Sequence, residues 1–399
     1  MGDFNRSVIL DAIRRATKGL SRVELGHATG LSAQTVSNIC RKLLDQGFVE
    51  EAGKASSGPG KPRTILRLKP DGAFAIGVHL DPAVMTFVIL DLTGAVVHSR
   101  KRTPIVDDPN QVIITISAEI EKLTLESGIE RSRIAGIGIA APGPIDPVRG
   151  AVIDPPNLLG WHQVPLRDAL ADATGLPVIV GKDVTAAAVA ETWVGGAIAT
   201  GSFVFFYLGT GVGAGLVLSG DVVRGSSSNA GEIGHVITDP NGPPCACGLR
   251  GCVAVTCAAP GLVLEAEQRG VLAATGLHNE AHAVDEQFTI LCARAENGDS
   301  VANEILDRSA FRVAKAVSVI TNLLDVDRVV FGGPFWARVS ERYLRLIPPL
   351  LDELTDARSV HRVEVVGTGV GEDVGAIGAA CLVLDDALAP RAARLLLAE

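Results

Sequence analysis

The residues with the clearest chemical meaning are three cysteines that fall within eight positions of one another. Cys245, Cys247 and Cys252 form the pattern C-x-C-G-x-x-G-C, and His235 lies ten residues before the first of them. Three thiolates and one imidazole complete a tetrahedral zinc site, and the glycines let a short loop fold back so that the sulfurs converge. The pattern predicts a structural zinc site, against the alternative of buried free thiols. We interpret the remaining cysteines as packed apolar residues: Cys40, Cys257, Cys292 and Cys381.

Charge is distributed unevenly along the chain. The formal net charge is −9 over 399 residues, yet residues 1–67 hold eleven basic and six acidic side chains. This segment is therefore +5 and the remainder −14. Such asymmetry indicates a small module that binds a polyanion, joined to an acidic body.

The first seventy residues have the pattern of a helix-turn-helix. Ser21 and Ser32 stand where N-caps are expected, and Gly47 is suited to end the third helix in a left-handed conformation. Along that third helix, polar side chains oppose an apolar stripe. Amide side chains can pair with adenine edges, and arginine with guanine or phosphate. The predicted DNA contacts on the third helix are Gln34, Thr35, Ser37, Asn38 and Arg41.

A wing is predicted after the third helix. Residues 48–53 and 63–70 have the composition of strands, and they flank the basic, glycine-rich stretch KASSGPGKP. Lys61 and Arg63 are placed to contact phosphates or to enter a minor groove. The alternative is a solvated charged hairpin on an ordinary three-helix bundle.

From residue 73 onward the pattern alternates between strands and helices. Hydrophobic residues make up 47% of the chain, and buried strands end in glycine-rich loops, which is typical of α/β lobes with a ligand cleft at the strand ends. No apolar run approaches the roughly 20 residues of a membrane span, and the N-terminus lacks the features of a signal peptide. We expect a cytoplasmic location and no membrane partner.

Five motifs carry a resemblance to a known family. In chain order they are GIGIAAPGPID (136–146), LGTGVGAGL (208–216), GEIGH (231–235), CACGLRGC (245–252) and FGGP (331–334). The body resembles the ROK family of repressors, open reading frames and kinases, and the chain with its head resembles the repressor branch. The resemblance implies a two-lobed, actin-like fold of duplicated ribonuclease-H type. The expected domains are a winged helix-turn-helix at 1–70, a first lobe at 71–193 plus 371–399, and a second lobe at 194–370.

The resemblance also implies a sugar-binding cleft. The family's sugar contacts correspond here to Asn157, Lys182, Asp183, Glu232 and His235. Lys182 stands in place of an asparagine and Ala254 in place of a second glutamate, which shifts the pocket toward positive charge. We expect a ligand with some preference for a phosphate or carboxylate. Two alternatives stay open: Lys182 points away toward a surface acid, or the ligand is a neutral oligosaccharide.

The phosphate-binding loop of the kinases is altered. Its D-x-G-G-T pattern corresponds to His79, Leu80, Asp81, Pro82 and Ala83. These changes remove a carboxylate for magnesium, add a negative charge beside the phosphates and delete an amide donor. We therefore predict no kinase activity, with Asp183 as a vestigial base.

The expected function is a carbohydrate-responsive transcriptional repressor that binds an inverted repeat as a homodimer or homotetramer. The expected effector is a sugar, an oligosaccharide or a sugar phosphate. One rival hypothesis is an active sugar kinase with a regulatory head. Another is a regulator controlled by a partner protein, in which the cleft is vestigial.

Overall fold

The computed structural model describes residues 2–55, 62–103, 108–156, 158, 160–196, 200–277 and 280–388, with the side chains at 2, 3, 357 and 358 excluded. Lys61 of the predicted wing and Asn157 of the predicted sugar site lie outside the described residues. The described chain forms a head followed by two lobes, each built on a five-stranded sheet.

The head is a helical bundle with a small antiparallel sheet in the order β1-β3-β2. Its elements are α1 (Gly2–Arg15), β1 (Leu20–Ser21), α2 (Arg22–Thr29), α3 (Ala33–Asp45), β2 (Val49–Ala55) and β3 (Arg63–Leu68). Ser21 and Glu24 form a reciprocal capping box at the start of α2, and the Ser32 hydroxyl accepts from the Thr35 N–H at 3.2 Å to cap α3. Gly30 ends α2 with φ +69°. These local signals produce the helix-turn-helix that the sequence predicts, and β2 and β3 are the two strands of the predicted wing.

The first lobe surrounds a sheet in the order β10-β7-β4-β5-β6. Its strands are β4 (Phe74–Leu80), β5 (Met85–Asp91), β6 (Val96–Arg102), β7 (Ile134–Ala141) and β10 (Val178–Lys182), with a short hairpin of β8 (Ile145–Asp146) and β9 (Ala151–Val152). β4, β7 and β10 are parallel, so their carboxyl ends meet at one edge. One face is covered by α4 (Pro109–Ser127) and α5 (Leu166–Thr174).

The second lobe repeats this topology. Its sheet order is β13-β12-β11-β14-β15, and both sheets combine a three-strand antiparallel meander with two parallel strands. The strands are β11 (Phe203–Leu208), β12 (Val212–Leu218), β13 (Asp221–Val223), β14 (Arg328–Gly332) and β15 (Glu364–Gly367). The outer helices are α7 (Val253–Thr256), α8 (Ala259–Gln268), α9 (Ala281–Glu296), α10 (Ser300–Leu324) and α11 (Ser340–Leu354). The repeat matches the duplicated fold implied by the sequence.

Two helices, α6 (Asp183–Val194) and α12 (Val374–Leu388), form a layer between the sheets. Small residues allow the close packing: a Cβ on Gly138 of β7 would lie 1.8 Å from the Ala379 carbonyl oxygen of α12. Where the helices cross, a Cβ on Gly378 would lie 2.0 Å from the Ala186 carbonyl oxygen. The head's core is continuous with this layer.

In the described part of the chain, no helix combines the length and apolarity needed to cross a bilayer. The domain bounds given above stay a prediction.

Gly138→Ala is expected to lower the thermal unfolding midpoint strongly, because α12 must separate from β7 to admit the methyl group. The expected loss of stability is about 3 kcal/mol. Gly26→Ala is the control, since its Cβ would meet only the Leu31 carbonyl oxygen, at 3.6 Å. Equal midpoints for the two variants in a thermal denaturation series would contradict the packing described.

Candidate functional site

The cleft lies where the strand ends of the two lobes face each other. Asp81 follows β4, Gly143 follows β7 and Asp183 follows β10, while Thr210 lies in the turn between β11 and β12. These residues line a cavity of about 90 Å³. Its position at the carboxyl ends of parallel strands is the usual one for a ligand site in an α/β fold.

Lys182 points into this cleft and is 5% exposed. Its ammonium Nζ lies 2.9 Å from Oε2 of Glu232, which belongs to the loop after β13 in the second lobe. Lys182 thus pairs with an exposed acid, as the alternative expected, but it does not point away from the cleft: two residues of the predicted sugar set pair with each other across it. The Glu232 side chain is 58% exposed, so the pair has one solvated partner.

Asp183 begins α6, and its Oδ1 accepts a hydrogen bond from the Val184 N–H at 2.7 Å. Burial raises the pKa of Asp183 to about 7; the Val184 hydrogen bond and Lys182 oppose the shift, and the carboxylates of Asp81 and Glu232 add to it. A carboxyl group with this pKa can exchange a proton near neutral pH. The predicted base thus keeps its proton-accepting capacity.

The altered phosphate loop makes direct contacts with the second lobe. Oδ1 of Asp81 accepts from the Thr210 hydroxyl at 2.9 Å and from the Ala83 N–H at 2.8 Å. Beside it, Nε2 of His79 and the Tyr207 hydroxyl are hydrogen-bonded at 3.1 Å. Burial lowers the pKa of His79 and raises that of Tyr207, so both groups are neutral at pH 7. We call these two cross-lobe contacts, His79 with Tyr207 and Asp81 with Thr210, the latch.

Sequence reasoning missed half of the latch. From the sequence, Thr210 was included only within the LGTGVGAGL motif, and the bond of its hydroxyl to Asp81 was not predicted. Tyr207 is the penultimate residue of the buried strand β11, and nothing in the sequence indicated a partner for its hydroxyl. Only the apposition of the lobes pairs these residues.

The predicted metal ligands converge. Donor atoms of His235, Cys245, Cys247 and Cys252 all lie within 4.8 Å of one another. The Cys247 and Cys252 sulfurs are 3.7 Å apart, and Nδ1 of His235 lies 3.6 Å from the Cys245 sulfur. Tetrahedral zinc, with bonds of about 2.3 Å to sulfur and 2.0 Å to nitrogen, gives edges of about 3.8 and 3.5 Å. The cluster therefore fits a tetrahedral metal ion.

The loop that carries the metal ligands, residues 235–252, is held by hydrogen bonds close to both the cleft and the helices of the second lobe. The Ala254 N–H donates to the Gly234 carbonyl at 2.9 Å, two residues from Glu232. On the other side of the loop, Arg312 of α10 donates to Asp239 at 2.5 Å and is 8% exposed. An ion bound by the cluster would fix the loop that carries Glu232.

The predicted DNA-contacting face of α3 is exposed at three of its five residues. Gln34, Asn38 and Arg41 are exposed, and Gln34 donates to the Asn38 side chain at 3.3 Å. Thr35 and Ser37 are partly buried, while Val36, Cys40 and Leu43 fill the core behind them. Arg63, at the start of β3, is exposed at the described end of the wing.

Comparisons with known proteins agree with both parts of this description. The ROK family profile matches residues 75–386, and a profile described as winged helix-turn-helix DNA-binding matches residues 6–50. The chain is 24% identical to the xylose repressor of Caldicellulosiruptor bescii over 96% of each chain. It is 30% identical to a glucokinase of Thermotoga maritima over 77% of this chain and 96% of that one.

Among solved structures, the fold matches a ROK family transcriptional regulator, a homologue of the Escherichia coli Mlc protein. The TM-score is 0.78 with 22% identity over 97% of both chains. Because the family profile spans both lobes and the cleft between them, the chain belongs to the ROK family.

Proposed function

We propose that this protein is a DNA-binding transcriptional repressor that senses a sugar in the cleft without phosphorylating it. The observation that carries the proposal is the latch. Asp81 and Thr210 satisfy each other at the place where a kinase would hold phosphates. A phosphate entering there would have to displace this hydrogen bond and approach the Asp81 carboxylate, which repels it.

The head supports the regulatory role. Its recognition helix presents amides and an arginine to solvent, and a basic wing follows. The xylose repressor spans the head as well as the body, whereas the glucokinase spans 77% of this chain. We infer that the protein binds an inverted repeat as a homodimer or homotetramer, because one winged head gives only modest affinity for DNA. We also propose that it acts in the cytoplasm.

The cleft supports a sugar as effector. Lys182, Asp183 and Glu232 present a cation, a carboxyl group that titrates near pH 7 and a carboxylate. Hydroxyl groups can both donate and accept, so a polyol can insert between these groups and satisfy each of them. Since Glu232 already neutralises Lys182, we favour a neutral sugar over the phosphate- or carboxylate-bearing ligand expected from the sequence. Asn157 and His235 stay proposed contacts.

We propose that the loop carrying the metal ligands binds zinc and supports the cleft. Zinc bound by the three thiolates and His235 would hold the Glu232 loop against the second lobe, with no position left for substrate. This assigns zinc an anchoring role in the cleft.

An active kinase is the second candidate function. The pKa of Asp183 near 7 favours it, because this is close to the optimum for a general base at neutral pH. Kinase activity would require ATP and magnesium to break the two hydrogen bonds of the latch.

Asn38→Ala and Arg41→Ala are each expected to weaken DNA binding by about 10- to 100-fold, because each removes side-chain contacts to base edges or phosphate. Fluorescence anisotropy would measure this with the duplex that the wild-type protein selects from a random-sequence pool. Arg131→Ala, an exposed arginine in the first lobe, is the matched control. Unchanged affinity in both head variants would refute the recognition-helix assignment.

No sugar-dependent ADP formation is expected when the protein is incubated with ATP, magnesium and either D-glucose or D-xylose, because the latch occupies the phosphate position. A coupled assay would measure ADP, with an active glucokinase as the positive control. Turnover that Asp183→Asn abolishes would establish the kinase instead.

Cys247→Ser and Cys252→Ser are expected to lose bound zinc and to lower the unfolding midpoint, because each removes one of four ligands. Metal analysis of the purified protein and thermal denaturation would measure the two effects. Cys292→Ala, outside the cluster, should keep its zinc. Full zinc content in both serine variants would contradict the proposed site.

A further inference from the structure

Helix α6 connects the ligand cleft to the DNA-binding head. It begins at Asp183, in the cleft beside Lys182, and ends at Val194 under the head. Twelve residues of α-helix span about 18 Å. A single rigid element thus reaches both places.

The last turn of α6 is tied to the second lobe. Glu191 is fully buried, and its Oε1 accepts a hydrogen bond from the hydroxyl of Thr368, the residue after β15. Near the start of α6, a Cβ on Gly215 of β12 would lie 2.4 Å from the Val184 carbonyl oxygen. Because α6 follows β10 of the first sheet and packs on the second, relative movement of the lobes acts on this helix.

The end of α6 bears on α1 of the head. The Arg14 guanidinium lies 4.4 Å from the centre of the Trp193 ring and donates to the Thr192 carbonyl at 3.3 Å. The Arg14 side chain is 10% exposed and is held in place by Asp11 at 2.7 Å. A cation is favoured at this position by the ring face and by the C-terminal end of the helix dipole.

Two features make this contact sensitive to movement. A Cβ on Gly94, in the turn between β5 and β6, would lie 2.4 Å from a Val194 methyl carbon, so the end of α6 is tightly enclosed. In addition, Nε1 of Trp193 is buried without a hydrogen-bond partner among the described residues. Because a buried donor without an acceptor costs free energy, a position of α6 that brought an acceptor to the Trp193 Nε1–H would be favoured by that hydrogen bond.

We propose that α6 transmits occupancy of the cleft to the DNA-binding head through the contact of Arg14 with Trp193 and Thr192. The inference rests on the proposed function. The proposal requires two positions of α6 relative to the head. A sugar that contacts Lys182 and Asp183 binds more tightly when α6 is in one of these positions, and this difference in affinity shifts the head. Arg14 in α1 and Trp193 in α6 lie outside both the cleft lining and the recognition helix α3, so we assign them a positioning role.

The test separates sugar binding from its effect on DNA. Calorimetry with D-xylose and D-glucose measures the first, and anisotropy of the selected duplex with and without saturating sugar measures the second. For the wild type we expect a change in DNA affinity within the range of about 5- to 150-fold that is usual for allosteric coupling. Arg14→Gln should keep the sugar affinity and lose most of this change.

The control is Arg15→Gln. Arg15 also pairs with Asp11, at 2.8 Å, but its side chain is 58% exposed. It should respond as the wild type does. Arg14→Lys, which keeps the cation, should recover part of the response, and Trp193→Phe provides a second disruption of the contact with little change in volume.

Equal responses of Arg14→Gln and Arg15→Gln would overturn the role of α6 while leaving the proposed function in place. A wild-type protein that binds neither sugar, or binds sugar with no change in DNA affinity, would defeat direct sensing of these sugars and this inference together.

Discussion

The close approach of α12 to the first sheet is the constraint on which the rest of the structure depends. Gly138 of β7 admits the Ala379 backbone, and Gly378 of α12 in turn admits α6. With larger residues the helices would stand away from the sheets, and the strand ends of the two lobes would not meet. The cleft and the seat of the head both follow from this one layer, because α6 contributes Asp183 to the first and Trp193 to the second.

The latch is the physical basis of the proposal that this cleft does not phosphorylate its ligand. A phosphate site needs uncommitted donors, and here the Thr210 hydroxyl and the Ala83 N–H are already bonded to Asp81. His79 and Tyr207 add a neutral hydrogen bond that needs no counter-ion. Asp183, by contrast, retains the pKa expected of a base. In the proposed function, the side of the cleft that would hold phosphates is therefore changed more than the side that would hold the sugar.

Local patterns in the sequence predicted the parts of the molecule that form locally. The Ser32 cap, the left-handed Gly30 and the clustered cysteines each act within a few residues, so the recognition helix and the metal ligands could be placed from sequence. The partner of Lys182 could not be placed, because Glu232 lies fifty residues away in the other lobe. The bond of Asp81 to Thr210 was missed for the same reason: a side chain's partner across a cleft depends on how the two sheets face each other.

The charges in the cleft determine which kind of ligand can separate Lys182 from Glu232. An anion would compete with Glu232 for Lys182 and would also face Asp81 and Asp183, so its gain at one ammonium is offset at the neighbouring carboxyl groups. A polyol brings no charge; its oxygens can accept from Lys182 while its hydroxyl hydrogens are donated to Glu232 and Asp183. Such a ligand can separate Lys182 from Glu232 without leaving either unsatisfied. That pair joins the lobes and Lys182 directly precedes α6, so in the proposed relay its separation would be the step that displaces the helix.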